Sequence, residues 1–286
     1  AEKTVAIVGV GTVGSQVAQL ATQAGWTVIG IEKDEKTAAA ASERSGVQVG
    51  TELKDAAGAA IVIECVPEKR DVKHAVFAEV GGLAAEDAVL VTTATALSVT
   101  DLALSSGRPN RVLGLAFPHD PARTQVELVR PDFADQDALE AVQGFLTDLG
   151  REATVVRSKP GYIADGLLFG YLNHAVTMFE AGYASRDDID AAMRFGCGYP
   201  VGPLALLDKI GVDTAYDVLD ALYATTGRRL HAPAPILKQM IAAGHLGEKA
   251  GRGFYTYGDE AGDAAFIVHH DHTLDAMLCS SRLASV

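Results

Sequence analysis

The sequence predicts an α/β protein, with a doubly wound parallel sheet over residues 1–158 and an all-helical second domain over 159–286. Three observations lead there. The chain opens on an apolar run that ends in glycine and passes into a helical pattern. Short apolar runs then alternate with amphipathic stretches, the mark of parallel strands joined by helical crossovers. After Lys159-Pro160 the strand-like runs stop and helical spacing alone remains.

Residues 4–10 are apolar without alternation, as a strand buried on both faces must be. Val13, Val17, Leu20 and Ala21 then share one helical face. Residues 26–31 supply the second strand, 34–44 an alanine-rich helix and 60–66 a third strand. Val72, Ala75, Val76, Glu79 and Val80 recur every three to four residues, which predicts a helix over 71–83. Residues 88–91 and 111–117 read as the fourth and fifth strands, and 125–129 and 153–156 as further strands around a helix at 135–149. In the second domain Ile163, Leu167, Tyr171, Leu172, Val176 and Phe179 keep helical spacing, and helices are predicted at 185–195, 203–226 and 235–243.

Composition narrows the functional classes. With 48% hydrophobic residues the chain of 286 is ordered over most of its length. A net charge of -13 repels phosphate backbones, so no nucleic-acid partner is expected. No apolar run reaches the ~20 residues of a membrane helix, and residues 1–25 show no signal-peptide pattern. Cys65, Cys197 and Cys279 are scattered and lack a CxxC pairing, which reads as reduced thiols in a cytoplasmic protein. His269-His270-Asp271-His272 has no second cluster to complete a coordination set, so it reads as a polar tail within 258–286, and no metal is expected. Ser98, Ser158 and Cys65 lack a motif that would activate them as nucleophiles, and Cys197, between two glycines, reads as a packing residue.

The sharpest signal is Gly9-Val10-Gly11-Thr12-Val13-Gly14, a GxGxxG turn between a strand and a helix. The first glycine permits the tight turn, the second admits a pyrophosphate against the backbone, and the third lets helix pack on strand. The helix N-terminus at Thr12 and Val13 then offers unpaired N–H groups to phosphate. Glu32 lies 18 residues past Gly14 at the end of the second strand, placed to accept the ribose hydroxyls of NAD and to repel the extra phosphate of NADP. Lys33 beside it softens that preference. The sheet is therefore expected to be of the Rossmann type with NAD as cofactor.

Longer segments carry a resemblance. VAIVGVGTVGSQVAQLA (5–21), IVIECVPEKRDVKHAVFAEV (61–80), residues 159–214 and GHLGEKAGRGFYTY (244–257) are similar to the 3-hydroxyacyl-CoA dehydrogenase family, which includes the 3-hydroxybutyryl-CoA dehydrogenases. The resemblance implies a helical domain that forms a homodimer, and hydride transfer in a cleft between the two domains. It also implies that Glu32 binds ribose, that Glu68 and Lys73 lie near the nicotinamide half, and that Lys249 reaches the cofactor.

At the catalytic positions the sequence departs from the family. The family histidine opens an HFFNP-like segment and serves as acid–base toward the 3-hydroxyl, charged by a glutamate further on. Imidazole suits that task because it titrates near neutral pH. Here the segment is Gly114-Leu115-Ala116-Phe117-Pro118-His119-Asp120-Pro121, with Ala116 at the histidine position. His119 lies two positions past the expected site when Asp120-Pro121 is set against the family's Asn-Pro; it is the residue that can supply imidazole, and Glu127 matches the family glutamate after a one-residue gap. The family's TNTSS becomes residues 92–96, Thr-Thr-Ala-Thr-Ala, so that Thr95 keeps a hydroxyl toward substrate. In the family's GFxxNR segment, here Gly161-Tyr162-Ile163-Ala164-Asp165-Gly166, Asp165 replaces the asparagine. Ionised aspartate cannot donate a hydrogen bond to a carbonyl. A helical insert that helps hold coenzyme A in the family has no room in the thirty or so residues after Glu32.

The reading is an NAD(H)-dependent oxidoreductase that interconverts 3-hydroxyacyl and 3-oxoacyl groups. A biosynthetic ketoreductase on a polyketide-like or carrier-bound β-keto substrate is one alternative. A non-catalytic NAD-binding dimer is the other.

Overall fold

A computed structural model of the chain describes residues 3–117 and 124–258. His119 and residues 259–286, with the histidines at 269–272, lie outside them. The first unit runs β1 (Thr4–Val8), α1 (Thr12–Gln23), β2 (Thr27–Ile31), α2 (Glu35–Ser45), β3 (Val49–Gly50), β4 (Ile61–Glu64), α3 (Arg70–Leu83), β5 (Val89–Thr92), α4 (Val99–Ser105), β6 (Val112–Ala116), β7 (Gln125–Arg130), α5 (Gln136–Asp148) and β8 (Glu152–Arg157). Then follow α6 (Ala164–Glu180), α7 (Arg186–Ala191), α8 (Pro203–Ile210), α9 (Val212–Thr226) and α10 (Pro235–Ala242). The chain divides into two compact units, 1–167 and 168–286, so the division falls inside α6.

The eight strands form one sheet in the order β3-β2-β1-β4-β5-β6-β7-β8. The strands run outward from β1 to β3, and β4 then returns to the other side of β1. That reversal opens a crevice at the carboxyl ends of β1 and β4, where open α/β sheets bind ligands. The parallel register pairs Val8 with Glu64, so the turns after both residues meet at the crevice.

Both faces of the sheet are covered, which explains the unalternating apolar runs. Val5 and Ile7 pack on one face with Val17, Leu128, Val142 and Phe145. Ala6 and Val8 pack on the other with Phe77, Val80, Leu90 and Leu102.

In the second unit two buried carboxylates tie the helices to the last turn. Asp190 accepts from the amides of Leu204 (2.8 Å) and Ala205 (2.9 Å) at the start of α8 and from the Tyr255 hydroxyl (3.0 Å). Asp208 accepts from the amides of Phe254 (2.9 Å) and Tyr255 (2.8 Å) and from the Tyr257 hydroxyl (3.0 Å).

Four expectations need correction. The sheet is not wholly parallel, because β7 runs antiparallel to β6. The helix expected over 203–226 is two helices, broken at Gly211, whose φ of +106° no ordinary helix accommodates. The helix expected over 185–195 ends at Ala191 and widens into a π-type turn at Ala192–Gly196. Cys197, expected to pack, is exposed just after that turn. The short β3 and α4 escaped the sequence reading because two and seven residues are too few to show a period.

Candidate active site

The glycine turn is shaped by what lies against it. Gly9 has φ +92°, and a Cβ there would lie 2.8 Å from the backbone of Cys65 and Val66 in the neighbouring turn. A Cβ on Gly14 would lie 2.1 Å from the Gly9 carbonyl. A Cβ on Gly11, in contrast, would meet nothing within 4 Å. Two glycines thus serve packing, and the middle one leaves open space beside the start of α1. Gly11 is the N-cap of that helix and no side chain caps it. The first-turn amides, at Thr12 and Val13, are therefore left for an anion.

These residues line a cleft of about 690 Å³, with Glu32, Glu68, Lys73 and Thr93 among its other walls. Its volume lies within the roughly 300–1,000 Å³ of small-ligand pockets. Glu32 is fixed by the turn it faces. Its Oε1 accepts from the Val10 amide at 2.8 Å and its Oε2 from the Lys33 amide at 3.3 Å. Arg44, at the end of α2, donates to the Val10 carbonyl (2.5 Å) and to Ser15 Oγ (3.0 Å), and so holds the turn from behind. The residues fit NAD: an open glycine, an uncapped helix start and a carboxylate at the ribose position occur in one cleft.

Across the cleft Lys73 is 1% exposed, although it lines the wall. Its Nζ lies 2.7 Å from Glu64 Oε1 and 3.5 Å from Glu68 Oε2. Glu64, itself 2% exposed, also accepts from the Val66 amide (2.7 Å) and the Thr92 hydroxyl (2.7 Å). Burial pushes the Glu64 carboxyl up, while the Lys73 ammonium, the Thr92 hydroxyl and the Val66 amide pull it down. A buried ammonium needs such an anion beside it, since an unpaired buried charge costs several kcal/mol (about 3–5). The next residue, Cys65, has its thiol pushed up to about 12 by burial and by Glu64, which disfavours the thiolate form.

Glu68 carries the connection onward. Its Oε1 accepts from the consecutive amides of Thr95 (3.1 Å), Ala96 (3.0 Å) and Leu97 (3.1 Å). Thr95 is thereby linked to the Lys73 cluster through Glu68, although Thr95 does not itself line the cleft. Glu127, on β7, accepts from the amides of Ile163 (3.0 Å) and Ala164 (3.2 Å) at the start of α6. A carboxylate has about four acceptor sites, so an imidazole N–H can still be received there. Asp165 is buried in the first turn of α6, where the helix dipole favours an acid.

Of the expected site residues, Gly9, Gly11, Thr12, Val13, Glu32, Glu68 and Lys73 line one cleft, Gly14 packs behind the turn without lining it, and Thr95 is bonded to Glu68. Glu127 bonds the start of α6, and Asp165 lies in the first turn of that helix. Lys249 belongs to the second unit, where its Nζ lies 2.5 Å from Asp213 Oδ1. His119 lies outside the described residues. The sequence reading missed Glu64, Thr92, Arg44 and the structural part of Tyr162. Glu64 did leave a signal, as the acid interrupting the apolar run 56–66.

Comparison with known proteins gives a consistent result. The family model described as "3-hydroxyacyl-CoA dehydrogenase, NAD binding domain" matches residues 36–159, and "3-hydroxyacyl-CoA dehydrogenase, C-terminal domain" matches 161–257. A 3-hydroxybutyryl-CoA dehydrogenase of Mycobacterium tuberculosis is 34% identical over 279 residues, covering 88% of this chain and 98% of that one. The human mitochondrial hydroxyacyl-coenzyme A dehydrogenase is 31% identical over 286 residues, covering 89% and 91%. Among solved structures, M. tuberculosis FadB2 superposes with a TM-score of 0.85 at 33% identity, covering 90% of this chain and all of that one. The (S)-3-hydroxybutyryl-CoA dehydrogenase of Ralstonia eutropha does so at 0.83 and 29%, covering 91% and 100%. With its two family domains in order and a cleft built for a dinucleotide, the chain belongs to the 3-hydroxyacyl-CoA dehydrogenase family of NAD-dependent oxidoreductases.

Proposed function

We propose that the protein interconverts a 3-hydroxyacyl-CoA and the 3-oxoacyl-CoA with NAD(H), using the site residues set out above in the following roles. The observation that carries this reading is the single cleft that joins an open glycine turn, Glu32 and the buried ammonium of Lys73. Bound NAD(H) supplies or accepts the hydride at C3. The uncapped amides of α1 receive the pyrophosphate, and Glu32 receives the adenosine ribose hydroxyls. Lys73 and Glu68 hold the nicotinamide half.

The proton follows a separate route. In reduction His119 donates to the carbonyl oxygen as negative charge develops there, and in oxidation it removes the hydroxyl proton. Glu127 stabilises the imidazolium, and the amides of Ile163 and Ala164 fix the Glu127 carboxylate for that task. Thr95 donates its hydroxyl to the same substrate oxygen. Asp165, buried at the start of α6, bounds the thioester side.

We further propose a cytoplasmic homodimer that pairs through the helical unit. Among the described residues of that unit Tyr183 is 81% exposed and Phe195 66%, aromatic side chains that a pairing surface can cover. Among the described residues no helix is long and apolar enough to cross a membrane. Sedimentation at micromolar concentration checks the pairing, with twice the mass of one chain expected.

The test of function is NADH oxidation, followed by absorbance, with acetoacetyl-CoA as substrate and NADPH in a parallel run. Turnover with NADH at least tenfold faster than with NADPH is expected. Silence in a protein that binds NADH would overturn the reading.

A further inference from the structure

Tyr162 is the one residue other than glycine with positive φ among the described residues, at +42°. A bulky side chain is strained there, and such strain persists where surrounding bonds over-determine it. With Gly161 at φ +76° before it, the turn swings the phenol back toward the loop that follows β5. The Tyr162 hydroxyl donates to the Ala94 carbonyl at 2.5 Å. The Gly161 amide donates to the Thr95 carbonyl at 2.8 Å.

These bonds enclose Thr95. The peptide plane before it is held at the Ala94 carbonyl by Tyr162 and at the Thr95 amide by Glu68. The plane after it is held at the Thr95 carbonyl by Gly161 and at the Ala96 amide by Glu68. Both backbone dihedrals of Thr95 are thus fixed. For a β-branched residue the backbone restricts χ1, so fixing the planes aims the hydroxyl. Burial and the nearby carboxylates of Glu68, Asp165 and Glu127 push the phenol up, so Tyr162 keeps its proton and acts as a donor.

We infer that Tyr162 is a positioning residue for the reaction, whose hydroxyl anchors the Ala94–Thr95 peptide and so aims the Thr95 hydroxyl at the substrate oxygen. The inference rests on the role proposed above for Thr95. In the resembling GFxxNR segment the same place holds phenylalanine, which has no donor. The hydroxyl accompanies the change of the neighbouring loop from TNTSS to the Thr-Thr-Ala-Thr-Ala of residues 92–96.

The test removes one oxygen atom. Tyr162→Phe should bind NADH with unchanged affinity while kcat with acetoacetyl-CoA falls about five- to tenfold, the loss of one hydrogen bond. In a Thr95→Ala background the same change should cost nothing more, because the residue acts through Thr95. An unchanged kcat in Tyr162→Phe, or an equal further loss in the Thr95→Ala background, would overturn the inference. Amide hydrogen exchange gives a readout without substrate: protection at Thr95 and Ala96 should fall at least fivefold in Tyr162→Phe. Should the wild type bind NADH yet show no turnover, the proposed function fails, and unchanged exchange at these amides would then overturn the anchoring as well.

Discussion

Glu68 and Asp208 solve the same local problem in different units. Each carboxylate gathers consecutive backbone amides of a turn, three at residues 95–97 for Glu68 and two at 254–255 for Asp208. Their surroundings differ. Asp208 is fully buried beside the Tyr257 hydroxyl, and a Cβ on Gly253 would fall 2.0 Å from its Oδ1. The Glu68 side chain is 33% exposed, lines the cleft and has Lys73 3.5 Å away. Capping a turn with a carboxylate is thus compatible with two purposes. Sealed among amides and hydroxyls, the carboxylate holds a fold together; left at the wall of a cleft beside a buried cation, it holds the 95–97 loop in register.

The contrast can be broken most forcefully at Asp208. Asp208→Ala leaves two amides and a phenol buried without their acceptor, each worth about 1–3 kcal/mol, so a stability loss of at least about 3 kcal/mol is expected in urea denaturation. Loss below about 1 kcal/mol would mean the turn finds other partners. Glu68→Ala should show the opposite balance. Water can reach the three freed amides, so stability should fall by less than about 1.5 kcal/mol, while kcat drops by at least tenfold as the Thr95 loop loosens. Equal effects on stability in the two variants would erase the distinction.

A finer separation lies within the glycine turn. Gly11→Ala places its methyl in open space, so the fold should be unaffected while NADH affinity weakens about tenfold. Gly14→Ala, with its Cβ 2.1 Å from the Gly9 carbonyl, should compromise folding itself.

The smallest effect is a slope with pH. Burial raises the Asp208 carboxyl above its ordinary 3.8 despite the hydrogen bonds it receives. The folded state therefore binds that proton more tightly than the unfolded chain does. The stability this proton contributes is complete below about pH 3.8 and is lost as pH rises through the folded value. The stability advantage of wild type over Asp208→Asn should accordingly shrink between pH 4 and pH 7, and an advantage that grows would contradict the burial argument.

Much of this was legible in the sequence because its causes are local. The run 4–10 and the glycines at 9, 11 and 14 fix a strand, a turn and a helix by sterics that involve few other residues. Glu32 was readable because a strand end at a set distance past the turn returns to it. Glu64 and Thr92 escaped as partners of Lys73, since their meeting depends on the pairing of β4 with β5, 28 residues apart in sequence. Tyr162 escaped for a similar reason. Its bond spans 68 residues, and nothing in Gly161-Tyr162 announces a left-handed tyrosine. The break at Gly211 was hidden inside apolar spacing that continues on both sides of it, from α8 into α9.

Proton transfer in the proposed reaction depends on His119, an imidazole displaced from where the resembling sequences keep theirs. The most direct measurement is kcat for His119→Ala beside wild type, with acetoacetyl-CoA and saturating NADH, and with NADH binding titrated on the same samples. Unchanged NADH binding and a loss of roughly 10²- to 10⁴-fold, the worth of a positioned acid–base group, are expected if His119 moves the proton. A variant that binds NADH and turns over at the wild-type rate would contradict that role.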